Sequence, residues 1–111
     1  MYSQRKCTIS NRFVTVRLLF DDILYVQKDL RRVLIVTNQE TYWEYCSLPE
    51  ILSRMDTRFC PCNRSLAINL NQVRKVFNGR IFMNEIGEID VSRATYFLIK
   101  KALNNYEIKD D

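Results

Sequence analysis

Residues 59–70 of the chain read FCPCNRSLAINL, and the rest of the sequence is interpreted outward from this stretch. An aromatic residue and a proline lead into three polar residues in a row, Asn63, Arg64 and Ser65. In residues 66–70, every second residue is leucine or isoleucine, which indicates a strand with one buried face. Amide, guanidinium and hydroxyl groups form hydrogen bonds with base edges and phosphates. The stretch therefore predicts a polar recognition loop held in place by a rigid strand.

The composition indicates one mildly basic globular domain. The chain has 111 residues, 47% of them hydrophobic, and only two are glycines. This length suits one domain with one core, so we expect a single domain over residues 1–111 with its core at about 12–104. Lysine and arginine number 17 against 13 aspartate and glutamate, which gives a net charge of +4. That charge permits a nucleic-acid partner but does not require one.

The residue types that the sequence lacks argue against an enzyme. There is no histidine, which is the commonest general base and the commonest metal ligand. The two glycines lie far apart, so no glycine-rich loop is available to hold a phosphate. We therefore expect no catalytic residues, no bound metal and no cofactor.

The cellular location is inferred from what the sequence does not contain. It has no signal peptide and no apolar run long enough to cross a bilayer, so we expect a cytoplasmic protein without membrane contact. In that compartment cysteines are usually reduced, and the simplest interpretation is four free thiols: Cys7, Cys46, Cys60 and Cys62.

Hydrophobic periodicity divides the chain into strands, one helix, more strands and a second helix. Strands are predicted at about 7–9, 12–19, 23–27, 33–37, 41–45, 66–70, 73–77, 80–83 and 88–91. Ser47 and Glu50 form a capping box at the start of a helix over 47–56, and Ser92 caps the final helix. The connections are short, which favours antiparallel pairing because parallel strands need long crossovers. The predicted fold class is mostly β with two short helices.

Turns and chain ends give further expectations. The charged residues 28–32 predict a turn, and Asn78-Gly79 predicts a tight hairpin. The polar tail at 104–111 is expected to fray. Helical spacing predicts four residues on the buried side of the last helix: Ala94, Phe97, Leu98 and Ala102.

In this arrangement the chain resembles the LytTR-type DNA-binding domain of bacterial transcription regulators. The resemblance extends from about Thr15 to about Leu103 and rests on the order and spacing of its segments. These read FDDILYVQ (20–27), VLIVT (33–37), RF (58–59), CPCNRSLAINL (60–70), V (73) and VSR (91–93). The resemblance implies an elongated antiparallel β fold that reads DNA with loops at one edge rather than with a recognition helix. Members of the family often bind repeated half-sites and bend the DNA.

The resemblance also implies a set of DNA contacts. These residues lie in the loop at 28–32, in the turn at 63–65 and at the start of the last helix: Arg31, Arg32, Asn63, Arg64, Ser65 and Arg93. We expect Arg64 and Arg93 to read bases with help from Asn63, while either Arg31 or Arg32, together with Ser65, holds the DNA backbone. The implied partner is double-stranded DNA with promoter repeats, bound by a transcription regulator of the response-regulator kind, with a homodimer as a further expectation.

Two positions depart from the family pattern. The family usually has histidine where this chain has Asn63, a change that keeps a hydrogen-bonding side chain. The loop at 28–30 reads Lys-Asp-Leu, where glycine or asparagine is often found. Many family members also carry a receiver or membrane domain ahead of this one. This sequence has neither, which implies either a domain that stands alone or a piece of a longer protein.

Each arginine candidate also has an ordinary explanation. Arg64 either makes a bidentate contact to guanine, worth about 1–3 kcal/mol of discrimination, or is a solvated surface residue. Arg93 is unfavourably placed at a helix N-terminus, so either a phosphate or base edge favours it or it points into water. For Arg31 and Arg32, phosphate contact and protection of a sheet edge against aggregation are equally open.

Two other functions remain open at this stage. The first is a protein–protein module that keeps the fold, has lost DNA binding and dimerises through the aromatic strand at 41–45. The second is a redox or metal sensor built on the cysteines. The Cys60-x-Cys62 spacing is shorter than that of a usual zinc pair, and no second pair accompanies it. A nearby arginine such as Arg64 lowers the pKa of a cysteine and raises its reactivity, which would favour a redox role for Cys62.

Overall fold

The computed structural model describes residues 5–110, which form ten strands and two helices. The strands are β1 Lys6–Ser10, β2 Thr15–Leu19, β3 Ile23–Asp29, β4 Arg32–Thr37, β5 Thr41–Glu44, β6 Phe59–Asn63, β7 Leu66–Asn69, β8 Val73–Phe77, β9 Arg80–Met83 and β10 Gly87–Asp90. The helices are α1 Leu48–Ser53 and α2 Arg93–Asn104. The predicted class, mostly β with two helices, is confirmed. Neither helix has the length and apolar character that crossing a bilayer requires.

The strands form three antiparallel sheets. The largest has the order β5-β4-β3-β7-β6, β1 pairs with β2, and a three-stranded sheet has the order β10-β9-β8. The strand pairs of the described chain are all antiparallel, as the short connections predicted. The molecule measures 40 × 40 × 23 Å, so the sheets are layered in a flattened body.

The two faces of the five-stranded sheet bury two separate apolar clusters. On one face, Val26 and Ile35 pack with residues from the β1–β2 hairpin and from α1. On the other face, Ile68 packs with residues of the three-stranded sheet and of α2, such as Ile81 and Ile99. The five-stranded sheet is therefore the middle layer, and each outer layer depends on it for burial.

The layer formed by α2 and the three-stranded sheet covers only part of its face. Paired residues of antiparallel strands project to the same side, so Tyr25, Val36, Leu34 and Trp43 share this face. Tyr25 packs against the α2 cluster, whereas the other three belong to neither cluster of the described residues. β4 and β5 thus leave a half-buried apolar surface on this side.

The stretch 59–70 forms a two-stranded hairpin rather than a loop leading into one strand. The sequence did not predict β6, because Pro61 lacks the N–H group that an inner strand donates to its neighbour. β6 is an outer strand of its sheet, where a proline is tolerated. Its pairing with β7 shifts register between Pro61 and Asn63, which is the signature of a bulge.

The predicted turn at 28–32 is too long. β3 continues to Asp29 and β4 begins at Arg32, so only Leu30 and Arg31 form the turn, with Leu30 at φ +58°. Where strands project beyond the core, their side chains face solvent and can be charged. The charged residues at 28–32 therefore did not show where β3 ends and β4 begins. The hairpin at 78–79 is confirmed, and both of its residues have positive φ.

α2 buries a different face from the predicted one. The buried residues of this helix are Thr95, Tyr96 and Ile99. The expected core residues that are exposed instead are Ala94, Phe97 and Leu98. Ala102 is half-buried against the α2 cluster, as expected. Two apolar stripes overlap on this helix, so spacing alone did not decide which one faces the sheet.

The segment after α2 is tied to the body of the protein, so the expectation of a frayed tail is wrong within residues 105–110. The Asn71 side-chain oxygen accepts hydrogen bonds from the Tyr106 hydroxyl at 2.6 Å and from the Lys109 backbone N–H at 3.0 Å. The Asn71 amide donates to the Lys109 carbonyl at 2.8 Å. Asp111 lies outside the described residues.

Two predicted elements are shorter in the structure. β2 begins at Thr15 rather than near 12, because the Asn11 side-chain oxygen accepts hydrogen bonds from the backbone N–H groups of Phe13 and Val14 and holds 11–14 in a turn. α1 ends at residue 53 rather than 56. Its predicted cap is present, with the Ser47 hydroxyl oxygen accepting from the N–H at position 50.

Candidate nucleic-acid interface

Two turns meet at one end of the five-stranded sheet. β3 and β7 are antiparallel neighbours with Gln27 opposite Leu66, so β3 ends where β7 begins. The backbone N–H of Lys28 donates to the carbonyl of Ser65 at 2.7 Å and fastens one turn to the other. The β3–β4 turn and the β6–β7 turn therefore lie side by side.

This arrangement brings together all of the predicted site residues except Arg93. We call the group the basic rim, and its members are Arg31, Arg32, Asn63, Arg64 and Ser65. Arg32 is half-buried and the other four are exposed. Residues that are far apart in the sequence thus form one surface, because neighbouring strands deliver them to the same sheet end.

The β6–β7 turn holds Asn63 and exposes Arg64. The Asn63 side-chain oxygen accepts a hydrogen bond from the backbone N–H of Ser65 at 2.7 Å, as in Asx turns. The amide N–H₂ group of Asn63 has no acceptor within the described chain. Arg64 likewise has no carboxylate partner among residues 5–110. The turn therefore presents one uncompensated positive charge beside an amide donor.

The β3–β4 turn treats its two arginines differently. Arg32 donates from Nε to Asp29 Oδ2 at 3.1 Å, and its guanidinium carbon lies 5.5 Å from the centre of the Trp43 ring. Its charge is therefore compensated and its position is held. Arg31 is exposed at the tip and makes no ion pair with any residue of the described range. The two residues that the sequence treated alike have different electrostatic surroundings.

Tyr45 is part of the same surface, although the sequence placed it only on an aromatic strand. β5 ends with Glu44 opposite Val33, so the residue that follows reaches the rim. Tyr45 and Arg31 both line an open depression of about 460 Å³. The alternation of positions 43 and 45 along the strand could have indicated that both aromatic rings share one face.

Arg93 lies apart from the rim on another element. It is the first residue of α2, exposed, with its guanidinium carbon 5.8 Å from the centre of the Phe97 ring. It borders an open depression that Asn78 and Gly79 of the β8–β9 turn also line. The first turn of α2 contains no acidic residue to offset this cation.

Burial and their mutual hydrogen bonding, rather than Arg64, set the pKa values of Cys60 and Cys62. The pKa of Cys62 is raised, through its hydrogen bond to Cys60 and through burial, so the idea that Arg64 activates it is wrong. The hydrogen bond from Cys62 lowers the pKa of Cys60 to about 7. All four cysteines are free thiols. Residues 5–110 contain no group of three His, Cys, Asp or Glu side chains arranged to hold a metal ion.

Comparison with known proteins gives a family match and a structural match. The family model for the LytTr DNA-binding domain matches residues 13–104. Among solved structures, the LytTr DNA-binding domain of a response regulator from Bacillus cereus superposes with a TM-score of 0.72. That superposition covers 94% of this chain and 100% of the other, at 16% sequence identity, so it is evidence for the fold alone. No curated protein gives a significant sequence match.

Proposed function

The chain belongs to the LytTR family of DNA-binding domains, and from this premise we propose that it is a transcription regulator that recognises a specific promoter sequence through its basic rim. The resemblance found in the sequence is confirmed by the family match. The proposal adds the residues of this chain that select the bases and the residues that hold the backbone.

The observation that carries the proposal is the pair of adjacent turns. Each turn exposes one arginine without a carboxylate partner in the described chain, Arg31 on one and Arg64 on the other. Adjacent strands lie about 4.8 Å apart, so two such turns fit within one groove of a duplex. A rigid sheet end that presents uncompensated cations is suited to a phosphate-lined groove.

Within the rim we assign base reading to Arg64. A guanidinium forms two parallel hydrogen bonds to the edge of guanine, which distinguishes that base by about 1–3 kcal/mol. Asn63 assists through its amide donors, since its side-chain oxygen already serves the turn. Arg31 and Ser65 hold the DNA backbone. Arg32 contributes by keeping the β3–β4 turn in place through Asp29.

Arg93 supplies a second base contact in this proposal. It stands at the start of α2, next to Ser92, whose hydroxyl oxygen accepts from the Thr95 N–H at 3.2 Å. An arginine is unfavourable beside a helix N-terminus unless an anion or base edge approaches it. DNA that reaches both the rim and α2 would supply that partner.

The test is selection of bound sequences from random duplex DNA with three proteins: the parent, Arg64→Ala and Arg17→Ala. Arg17 is an exposed arginine on β2, outside the rim, and is the matched control. We expect the parent and Arg17→Ala to enrich the same motif. Arg64→Ala should lose its preference at one base pair of that motif, with about 1–3 kcal/mol less discrimination there.

Two results would contradict the proposal in different ways. A parent protein that enriches no motif would favour the alternative of a protein–protein module on this fold. If the parent and Arg64→Ala enrich an identical motif, the protein recognises specific DNA, but Arg64 does not read a base.

A further inference from the structure

Leu30, the first residue of the β3–β4 turn, has a position that neither the turn nor the core accounts for. Its φ is +58°, in the left-handed region that glycine and asparagine adopt readily and that a leucine side chain disfavours. It is 86% exposed, the largest value among the exposed large apolar side chains of residues 5–110. The fold therefore gains almost no burial from this leucine and holds it in a strained conformation.

Leu30 belongs to the same surface as the basic rim. It lines the open depression of about 460 Å³ that Arg31 and Tyr45 also line. The turn that carries it lies beside the β6–β7 turn, because the Lys28 N–H donates to the Ser65 carbonyl at 2.7 Å. An exposed apolar side chain is thus placed directly among the groups to which we assign DNA binding.

The charges of the two turns favour an anionic partner. The segments 28–32 and 63–65 carry four cations against one anion, a net charge of +3: Lys28, Arg31, Arg32 and Arg64 against Asp29. The nearby Glu44, at the end of β5, is already held by Arg54 at 2.9 Å. A protein segment that covered only the leucine would leave these cations without partners. Duplex DNA supplies phosphates for the cations together with base edges for the leucine.

We propose that Leu30 recognises a thymine by packing against its C5-methyl group in the major groove. This role rests on the DNA recognition proposed for the basic rim. The major groove is about 12 Å wide and admits a two-stranded β-ribbon such as β3–β4. The thymine methyl is the apolar group that base pairs present in that groove. Contact between the methyl and the leucine removes apolar surface of both from water.

The order of the strands predicts where this thymine lies. Because the order is β4-β3-β7-β6, the centres of the two turns are separated by two strand spacings, about 10 Å. Successive bases of a duplex are about 3.4 Å apart along the axis, so the two turns reach bases about three base pairs apart. We therefore expect the thymine about two to four base pairs from the guanine that Arg64 reads.

A different apolar contact with DNA agrees less well with the geometry. Leucine side chains also act as wedges, which enter base steps from the minor groove and kink the duplex. Leu30 lies on the same rim as Arg64, and the contact proposed for Arg64 is to a guanine edge in the major groove. A wedge would require the two adjacent turns to enter different grooves.

The experiment uses the duplex motif that the parent protein enriches from random sequences. Loss of one base preference in Arg64→Ala identifies the guanine of that motif. Each thymine within about four base pairs of it is then replaced by uracil, which differs from thymine only by the missing methyl group. At one of these positions we expect the parent to bind about fourfold more weakly after replacement, the effect of one buried methyl group. Fluorescence titration of labelled duplexes measures the affinities.

Leu30→Gly separates the contact from the conformation of the turn. Glycine adopts positive φ readily, so the turn is retained while the side chain is lost. We expect this variant to bind the thymine and uracil duplexes equally, whereas Leu30→Met, which keeps an apolar side chain, should still prefer thymine. The matched control is Ile108→Gly. Ile108 is 68% exposed and lies near Asn71, at the opposite end of β7, so this variant should keep the preference of the parent.

The outcomes distinguish failure of this role from failure of the proposed function. If the parent enriches a motif without a thymine in the expected range, or binds thymine and uracil equally, Leu30 does not read a methyl group and DNA recognition stands. A thymine preference that persists in Leu30→Gly gives the same conclusion. Weaker binding and less bending of the duplex by Leu30→Gly, without dependence on the methyl, would make Leu30 a wedge. If the parent enriches no motif, DNA recognition fails and this role fails with it.

Discussion

The two ends of β6 place arginines in opposite surroundings. Arg58 precedes the strand and is completely buried, with ion pairs to Asp21 at 3.0 Å and to Asp56 at 2.9 Å. Its guanidinium carbon lies 5.2 Å from the centre of the Phe20 ring. Arg64 follows the strand and stands in solvent. An arginine with carboxylates built around it is part of the fold, whereas one without them is available to an anion that arrives from outside.

The largest effect that sharpens this contrast is on stability. Arg58→Ala leaves two partly buried carboxylates without their cation, and we expect the free energy of unfolding to fall by about 3–5 kcal/mol. Arg64→Ala is the matched control and should change it by less than about 0.5 kcal/mol. Denaturant unfolding of the purified variants measures both. Comparable losses for the two variants would mean that the ends of β6 do not differ as described.

A second prediction concerns the same end of the sheet as Arg58, where Asn71 ties the C-terminal segment down. Asn71→Ala removes the acceptor of the Tyr106 hydroxyl and of the Lys109 N–H. We expect a loss of about 1–3 kcal/mol in stability together with faster amide exchange at 106–110. Asn104→Ala, at the exposed end of α2, is the control and should leave both unchanged. Unchanged amide exchange at 106–110 in Asn71→Ala would show that Asn71 does not hold the C-terminal segment in place.

The contrast between the two ends of β6 also shows how far sequence patterns reach. Turn signals and alternation were sufficient to predict most strands, the antiparallel pairing and the cap at Ser47, because these depend on local chemistry. The buried state of Arg58 was not predicted. Asp21, its partner, lies far away in the sequence and reaches it only through the sheet.

The candidate site was predicted in part for the same reason. The sequence marked the polar turn at 63–65 and the basic pair at 31–32 separately, and the family resemblance joined them. Their adjacency depends on the pairing of β3 with β7, which no local pattern specifies. The different surroundings of Arg31 and Arg32 depend on Asp29 and Trp43, whose distances follow only from the folded hairpin.

A third prediction uses pH to test the network around Arg58. Burial raises the pKa of Asp56, but the hydrogen bonds from Arg58 and the positive charge of Arg58 lower that pKa by a larger amount. The net pKa of Asp56 therefore lies below the ordinary value of 3.8. Such a carboxylate stabilises the fold above its unfolded pKa, and this contribution is lost as the pH falls through the folded pKa. We expect the stability difference between the parent and Arg58→Ala to narrow below about pH 4. A difference that stays constant from neutral to acidic pH would contradict this account.

The smallest expected effect is a difference between Arg31 and Arg32, the two arginines of the β3–β4 turn. These residues repeat, within the basic rim, the contrast between an arginine without a carboxylate partner and one with such a partner. If Arg31 neutralises one phosphate, Arg31→Ala should reduce the slope of log affinity against log salt by about 0.9. Arg32→Ala should leave that slope nearly unchanged, because Asp29 already compensates its charge, although the turn would be less well held. Titration of a duplex with the selected motif at several salt concentrations measures both slopes. Equal reductions would mean that Arg32 leaves Asp29 when DNA binds. A carboxylate partner at the exposed rim would then not keep an arginine from contacting DNA, in contrast to the buried ion pairs that hold Arg58 inside the fold.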